Sequence, residues 1–186
     1  MSVVKNSDAA LQPLRERILA AGRAGTPLAI RGHGSKAGLA PDAARPADGA
    51  EPLDLTLLSG ISAHEPSELV VTVRAGTPID ALEAALAAEG QHLAFEPPRL
   101  QTPGARGRGT VGGMVASGLS GPARMAAGSV RDHVLGVTML DGRGELLSFG
   151  GQVMKNVAGY DVSRLMAGSW GRLGVLCEVS LKVLPE

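Results

Sequence analysis

The sequence contains a single cysteine, Cys177, among its 186 residues. One thiol can form neither a disulfide framework nor the ligand set of a structural zinc site. Aromatic residues make up only 2% of the chain, so a platform for stacking single-stranded bases is not expected. The formal net charge is zero, which gives no basic surface for a nucleic-acid backbone. We therefore predict neither a metal nor a nucleic acid as partner.

Long apolar runs are also missing. No stretch reaches the roughly 18 consecutive apolar residues of a membrane-spanning helix, and the first residues lack the apolar segment of a secretion signal. Hydrophobic residues at 44% and charged residues at 19% argue against disorder and against a coiled coil. We expect a soluble, cytoplasmic protein that folds as one domain or as two small lobes.

Glycine and proline, in contrast, are abundant, with 26 and 12 residues respectively. The glycines cluster in a few segments between apolar strands, which indicates that main chain approaches something closely there.

The spacing of apolar residues predicts a mixture of helices and strands. Ser7 or Asp8 is expected to cap the first helix, Gly22 and Gly25 to end it, and Thr77 to cap the second. The final strand alternates apolar and polar residues, so one of its faces is expected to be wet. Helices are predicted at 8–21, 77–90 and 162–166, and strands at 27–30, 53–57, 61–64, 69–74, 134–140, 145–149 and 175–183.

The first glycine cluster, residues 32–37, fits the pattern G-x-G-x-x-G/A and follows a predicted strand. A dinucleotide-binding Rossmann unit also needs a helix that starts at the second glycine. Pro41, Pro46 and Pro52 follow instead and exclude a crossover helix. The segment is therefore either a phosphate cradle without a long helix behind it or a simple turn.

The second cluster, residues 110–121, places paired glycines before a short helix of small residues. Main-chain N–H groups at such a helix start could bind an anion. Tight packing of main chain between two subdomains would require the same glycines, and both interpretations stay open. Two anion-binding loops together would hold a pyrophosphate from both sides. A third cluster, with Gly168, Gly171 and Gly174, is interpreted as a helix-to-strand connection.

Several segments resemble the FAD-binding domains of the vanillyl-alcohol-oxidase and para-cresol-methylhydroxylase (PCMH) family, and within it the flavin-binding subunits of bacterial glycolate oxidases. The resemblance runs from about Thr26 to Pro185, and its most specific motifs are RDHVLG and KNVAGYD. It implies an α+β, PCMH-type FAD-binding fold. Two α/β subdomains, at about 1–95 and 96–186, would enclose the cofactor between them. Further matching segments are EPSELVVT at 65–72, EPP at 96–98 and GSVRD at 128–132.

The resemblance also implies which residues contact FAD. Covalently flavinylated relatives carry a histidine at the position of Ser35, so noncovalent FAD is expected. His33 is either a local contact or a solvated loop residue, and the solvated interpretation is preferred. Arg106 and Arg108 are interpreted as solvated loop charges, although the pyrophosphate could recruit one of them. The residues expected at the cofactor are Arg31, Gly32, His33, Gly34, Ser35, Lys36, Thr110, Gly112, Gly113, Ala116, Ser117, Gly118, Asn156, Gly159, Tyr160, Gly174 and Val175.

The function that the resemblance implies is oxidation of glycolate to glyoxylate. The partners would be a second flavin subunit, an iron–sulfur subunit and the small 2-hydroxy acid itself, with attachment to the inner membrane only through those subunits. The alternatives are an FAD-dependent dehydrogenase for D-lactate or another 2-hydroxy acid, and a scaffold subunit with a vestigial flavin site. His64, His92 and His133 are candidate bases by residue type only and are interpreted as structural. Tyr160 either faces the flavin or carries an ordinary buried hydroxyl. Asp161 is expected to cap the following helix. The family places its substrate-facing cap beyond this region, so we expect cofactor binding without a complete active site, and no catalytic residue is assigned.

Overall fold

A computed structural model describes residues 2–3, 9–100, 105, 107–151 and 159–186. The structure combines six short-to-medium helices with strands in one large and two small sheets among these residues. The helices are α1 (Gln12–Ala24), α2 (Ile79–Ala87), α3 (Val111–Ser117), α4 (Arg124–Ala127), α5 (Val130–His133) and α6 (Val162–Leu165). The strands are β1 (Ser2–Val3), β2 (Leu28–Arg31), β3 (Glu51–Asp54), β4 (Ile61–Glu65), β5 (Val70–Arg74), β6 (Gln91–His92), β7 (Val134–Leu140), β8 (Leu146–Gly150), β9 (Val175–Lys182) and β10 (Leu184–Pro185).

The large sheet has six strands in the order β1-β8-β7-β9-β5-β4, and every neighbouring pair is antiparallel. Helices α2 and α3 cover one part of it and form the main core with β5 and β9. Helix α1 packs with residues of β3, β7, β8 and β9 in a second core. Because apolar helix faces lie on the sheet, its central strands are buried almost throughout.

Strand β9 is where the predicted one-sided alternation is wrong. The pairing with β7 shifts by one residue beside Cys177, so Val175 and Cys177 join the second core while Val179 and Leu181 join the main core. The polar positions are mixed, because Glu178 and Lys182 are partly exposed while Ser180 is not. Ser180 is buried, and its hydroxyl lies 2.8 Å from that of Thr72 on β5.

A separate pair of parallel strands, β2 and β3, carries the first glycine cluster at the end of β2. Residues 32–50 connect the two strands, and within this connection only two single turns of 3₁₀ helix form, at Ala37–Leu39 and Asp42–Ala44. The prediction that the prolines prevent a crossover helix is confirmed. The glycine segment therefore leaves β2 as an open loop.

Several predicted helix boundaries need correction. Helix α1 begins at Gln12 with Leu11 before it, while Ser7 and Asp8 lie outside the described residues. Gly22 lies inside the helix, and Gly25, with φ 66°, ends it. Thr77 does not cap α2. Its hydroxyl instead donates to the Gly60 carbonyl and accepts from the Gly60 N–H, and Pro78 takes the capping position.

The large sheet does not follow the division predicted near residue 95, because β4 and β5 precede that point while β7, β8 and β9 follow it. In the part of the chain that the structure describes, no helix is both long enough and apolar enough to cross a membrane.

Candidate functional site

A cleft of about 750 Å³ lies between the loop that follows β2 and the segment around α3. This volume falls within the roughly 300–1,000 Å³ of small-molecule and cofactor sites. Its walls come from both sides of residue 95: residues 27–50 on one side, and residues of α3 and of the loop 169–174 on the other. The two glycine clusters that the sequence analysis singled out thus face one common space.

The first wall is the loop 31–36, which contains six of the residues predicted at the cofactor, and all six line the cleft. Gly34 has φ 77°, a conformation that side chains rarely adopt. Within the described residues, the main-chain N–H groups of His33, Ser35 and Lys36 form no hydrogen bond with the protein. Such amides are donors for an oxyanion.

Two polar side chains of this loop are buried. Ser35 is 2% exposed and Lys36 is 7% exposed. The Lys36 ammonium lies 3.5 Å from the Ser35 hydroxyl and has no carboxylate partner in the described part of the chain. Burial lowers the pKa of Lys36 below its usual value. A buried cation without an anionic partner is costly, and an anion in the cleft would relieve that cost.

The charges along the cleft are of one sign. Arg31, Lys36, Arg45 and Arg172 line it, and no Asp or Glu is among the described lining residues. The whole chain carries 18 basic and 18 acidic residues, so this separation is local. A cleft with this lining favours an anionic ligand.

The second wall is α3, and its amides are not available in the way that one sequence interpretation required. The N–H of Val111 donates to the Thr77 carbonyl at 2.9 Å, and that of Gly112 to the Ala75 carbonyl at 2.7 Å. The Gly113 N–H donates to the Thr110 hydroxyl at 3.3 Å, which makes Thr110 the helix cap. The start of α3 is therefore already satisfied by protein groups.

The glycines of α3 serve close packing instead. A Cβ atom on Gly112 would lie 2.8 Å from the Ala75 Cβ and 3.0 Å from the Ala75 carbonyl oxygen. Thr110, Gly112, Gly113, Ala116 and Ser117 nevertheless all line the cleft. Small side chains on α3 thus make a smooth wall that a ligand can approach closely.

The two walls touch where Gly32 meets Thr110. A Cβ atom on Gly32 would overlap the Thr110 hydroxyl and lie 2.9 Å from its methyl group. Gly109, with φ 130°, would place a Cβ atom 2.9 Å from the Lys36 ammonium nitrogen. Residues 109–110 are therefore packed against the first loop.

Of three further residues predicted at the cofactor, one lines the cleft and two do not. Gly174 lines the cleft, but Gly118 and Val175 are not among the lining residues. Gly118 ends α3 with φ 68° and packs against the main chain of Gly168, and Val175 is buried in the second core.

The KNVAGYD motif contributes little that can be placed. Asn156 lies outside the described residues, and Gly159 and Tyr160 are not among the residues that line the cleft. Tyr160 is 96% exposed, so the predicted buried hydroxyl is wrong. Asp161 caps α6 by accepting from the Arg164 N–H at 3.0 Å, which confirms its predicted role.

His33 differs from its prediction as a solvated loop residue. The solvated interpretation is wrong, because the side chain is half-buried and its Nδ1 atom is buried without a hydrogen-bond partner in the described residues. The ring packs against Gly107, where a Cβ atom would lie 2.8 Å from the His33 Cε1 atom. Close packing of this ring therefore requires a glycine at position 107.

The other three histidines do not line the cleft. His64 Nε2 lies 2.9 Å from the Gln91 side-chain oxygen. His133 lies between the carbonyl oxygens of Lys182 and Ala127, at 3.2 and 3.0 Å. His92 borders a second cavity. No group of His, Cys, Asp and Glu that could hold a metal ion occurs among the described residues.

Sequence reasoning missed Arg45, Trp170 and Arg172, which also line the cleft. Arg172 donates to the carbonyl oxygen of Ala43, in the connection between β2 and β3. Trp170 and Arg172 stand between the glycines of the third cluster, so that cluster is part of the cleft wall as well as a connection. Glycines on both sides of a lone tryptophan were the available signal.

Comparison with known proteins agrees with this geometry. Residues 11–150 match the family model described as an FAD binding domain. The chain is 52% identical to glycolate oxidase subunit GlcE of Escherichia coli (strain K12), over 94% of this chain and 47% of that protein. It is 35% identical to D-lactate dehydrogenase of Anaerostipes hadrus, over 72% of this chain and 26% of that protein. The chain therefore spans less than half the length of either relative.

A solved structure of alkyldihydroxyacetonephosphate synthase matches 94% of this chain and 30% of its own, with a TM-score of 0.72 and 20% sequence identity. This likeness shows the fold alone, an α+β fold of the PCMH type. The cleft fits the cofactor that the family model names, because its volume, its basic lining and the close approach of its glycines suit a dinucleotide with a diphosphate bridge. The chain belongs to the family of FAD-binding domains, and its cofactor is FAD.

Proposed function

We propose that this domain carries noncovalent FAD for the oxidation of a small 2-hydroxy acid, glycolate, as part of a complex with further subunits. The observation that carries the proposal is the 52% identity to a glycolate oxidase subunit, which extends over 94% of this chain. The basic lining of the cleft, which includes no carboxylate among the described residues, agrees with it, because the diphosphate of FAD needs compensation of its negative charge.

In this proposal the loop 31–36 binds the diphosphate. The main-chain N–H groups of His33, Ser35 and Lys36 donate hydrogen bonds to it, and the Lys36 ammonium supplies the opposite charge. The small residues of α3 form the facing wall. Bound FAD accepts the two electrons that leave the substrate, while the protein supplies binding and orientation.

Noncovalent binding is supported by Ser35. The resemblance to the PCMH family implies that a histidine stands at this position in covalently flavinylated relatives, and Ser35 is buried beside Lys36. A serine hydroxyl is suited to donate a hydrogen bond to phosphate. The division into two subdomains near residue 95 stays a proposal: the cleft takes its walls from both sides of that residue, while the large sheet combines strands from both sides.

The proposal includes two partners, a second flavin subunit and an iron–sulfur subunit. It also places the groups that bind the acid's carboxylate outside the cleft described above. Assembly of such a complex in the cytoplasm, or against the inner membrane through its other subunits, belongs to it too. The similarity to a glycolate oxidase subunit of E. coli supports a complex of several subunits.

Oxidation of D-lactate is a second candidate. It is supported by the 35% identity to D-lactate dehydrogenase of Anaerostipes hadrus, over a smaller share of the chain. A scaffold with a vestigial flavin site is the third candidate. Lys36 argues against it, because a buried cation with no carboxylate partner in the described part of the chain is costly unless the cleft binds an anion.

Two measurements test the proposal. Mild denaturation of the purified, yellow protein should release FAD in about equal molar amount, and phosphodiesterase should convert the released flavin to FMN. A colourless protein that takes up no added FAD would overturn the cofactor assignment and leave the scaffold interpretation.

Anaerobic mixing of the assembled complex with substrate then separates the candidate acids. Bleaching of the flavin absorbance by glycolate, faster than by D-lactate at equal concentration, is the expected result. Bleaching by D-lactate alone would favour the second candidate.

A further inference from the structure

Trp170 is the single tryptophan of the chain and the one aromatic side chain among the described residues that line the cleft. The other aromatic residues are placed elsewhere. Phe95 is fully buried in the main core, Phe149 packs against that core from a partly buried position, and Tyr160 is 96% exposed. A tryptophan in a cleft whose other lining residues are small, aliphatic or basic, apart from His33, is therefore a local feature that needs its own explanation.

The main chain holds Trp170 in an unusual conformation. Its φ of 51° lies in the left-handed region, which is unfavourable for a residue with a Cβ atom. Gly168 and Gly171, with φ 82° and 77°, surround it. Asparagine or glycine would fit this position with less strain. The backbone conformation therefore does not explain why a tryptophan stands here.

Two hydrogen bonds fix this segment to the end of α3. The main-chain N–H of Trp170 donates to the Ala116 carbonyl at 2.8 Å, and the main-chain N–H of Gly168 donates to the Val115 carbonyl at 3.1 Å. Gly118 approaches the main chain of Gly168 so closely that a Cβ atom would lie 2.9 Å from its Cα atom. The backbone that carries the indole is thus anchored to the same helix that forms the second cleft wall.

We infer that Trp170 makes a face or edge contact with one of the two planar ring systems of FAD, the isoalloxazine or the adenine. This inference rests on the proposed binding of FAD in the cleft. Trp170 is half-buried, and a planar ring in the cleft would cover part of its remaining exposed surface. Ring pairs of this kind prefer offset-stacked or edge-to-face geometry.

The test compares the wild-type chain with Trp170→Phe, Trp170→Asn and Leu173→Ala. Asparagine tolerates the left-handed conformation and removes the ring. Leu173 lies in the same loop, is 49% exposed and is not among the residues that line the cleft. Calorimetric titration with FAD should give about tenfold weaker binding for Trp170→Asn, with most of the affinity kept by Trp170→Phe and all of it by Leu173→Ala.

Fragments of FAD show which of its two ring systems Trp170 contacts. Titration with FMN probes the isoalloxazine end, and titration with ADP probes the adenine end. If Trp170→Asn weakens one of these and leaves the other unchanged, the contact is assigned to the ring that was affected.

Three outcomes would overturn the inference. Trp170→Asn and wild type could bind FAD equally tightly, or Leu173→Ala could weaken binding as much as Trp170→Asn, which would indicate a general effect on the loop. Loss in Trp170→Phe as large as in Trp170→Asn would also contradict a ring contact. A wild-type chain that binds no FAD would overturn the proposed function itself, so the two failures are distinguishable.

Discussion

The loop 31–36 and the helix start at 110–113 are both glycine-containing segments on the wall of one cleft, yet they use glycine for different purposes. In the first, the amides of His33, Ser35 and Lys36 have no protein acceptor within the described residues. In the second, the amides of Val111, Gly112 and Gly113 are all bonded to protein oxygens. One wall is built to receive an anion, and the other is built to bring main chain close.

The difference matters for stability as well as for binding. The first wall keeps unpaired donors and a buried ammonium, which is unfavourable until a ligand binds. The second wall is complete without a ligand, because Gly112 allows α3 to pack against the main chain of Ala75. Substitutions in the first wall should therefore change affinity, and substitutions in the second should change the free energy of unfolding.

The largest effect is expected for Lys36→Met, which keeps most of the side-chain volume and removes the charge. A hydrogen bond to a charged group contributes about 1.5–3 kcal/mol, so FAD affinity should fall roughly 10- to 100-fold. Equilibrium titration with FAD measures it. Arg143→Met, on the exposed turn before β8, is the matched control and should leave affinity unchanged. Equal affinity of Lys36→Met and wild type would contradict the assignment of the diphosphate to this loop.

Gly112→Ala should cost about 1–3 kcal/mol of stability, because the new methyl group would press on the Ala75 carbonyl oxygen and Cβ atom. Thermal unfolding of the FAD-free protein measures this, as a fall in Tm of roughly 2–4 °C for each kcal/mol.

Gly113→Ala is the control for this substitution, since its Cβ atom would meet only the Thr110 hydroxyl, at 3.3 Å. Its effect on Tm should be clearly smaller. Equal effects at 112 and 113 would mean that α3 does not pack against Ala75 as the structure indicates.

Gly32→Ala tests the contact between the two walls. The new methyl group would collide with side-chain atoms of Thr110, and Thr110→Ala would remove the hydroxyl and the methyl group involved. Thr110→Ala alone should cost about 1 kcal/mol as a lost helix cap. The double variant should therefore be more stable than the sum of the two single effects predicts, by about 0.5 kcal/mol or more. Additive changes in chemical unfolding would show that the walls do not touch.

The fold was largely predictable where apolar spacing and glycine or proline decide the local structure. The open loop after β2 followed from Pro41, Pro46 and Pro52, and the strand positions were close to those observed. The alternation of β9 misled because its pairing with β7 shifts beside Cys177, and nothing in the strand's own sequence signals a shift relative to a partner.

The candidate site could be located from the sequence, but the purpose of each glycine could not. Gly32 and Gly112 look alike in the chain, while the atoms that require them belong to Thr110 and Ala75, which are distant in sequence. Trp170 was missed because the glycines on both sides of it were interpreted as a helix-to-strand connection, and its left-handed φ cannot be read from the sequence. Tyr160 was expected at the cofactor through the resemblance alone, and its exposure does not support that role.

The smallest effect, and the one that depends most on the first wall, concerns pH. Burial lowers the pKa of Lys36, so the unfolded chain binds its proton more tightly than the folded chain does. The FAD-free wild type should therefore be less stable than Lys36→Met at neutral pH. It should gain stability relative to that variant as pH rises through the lowered pKa towards the usual lysine value of about 10.4. Titrations shared by both proteins cancel in the difference between their Tm values. A difference that stays constant over this pH range would mean that Lys36 is solvated in the unliganded protein, and the contrast between an unsatisfied wall and a satisfied one would then be lost.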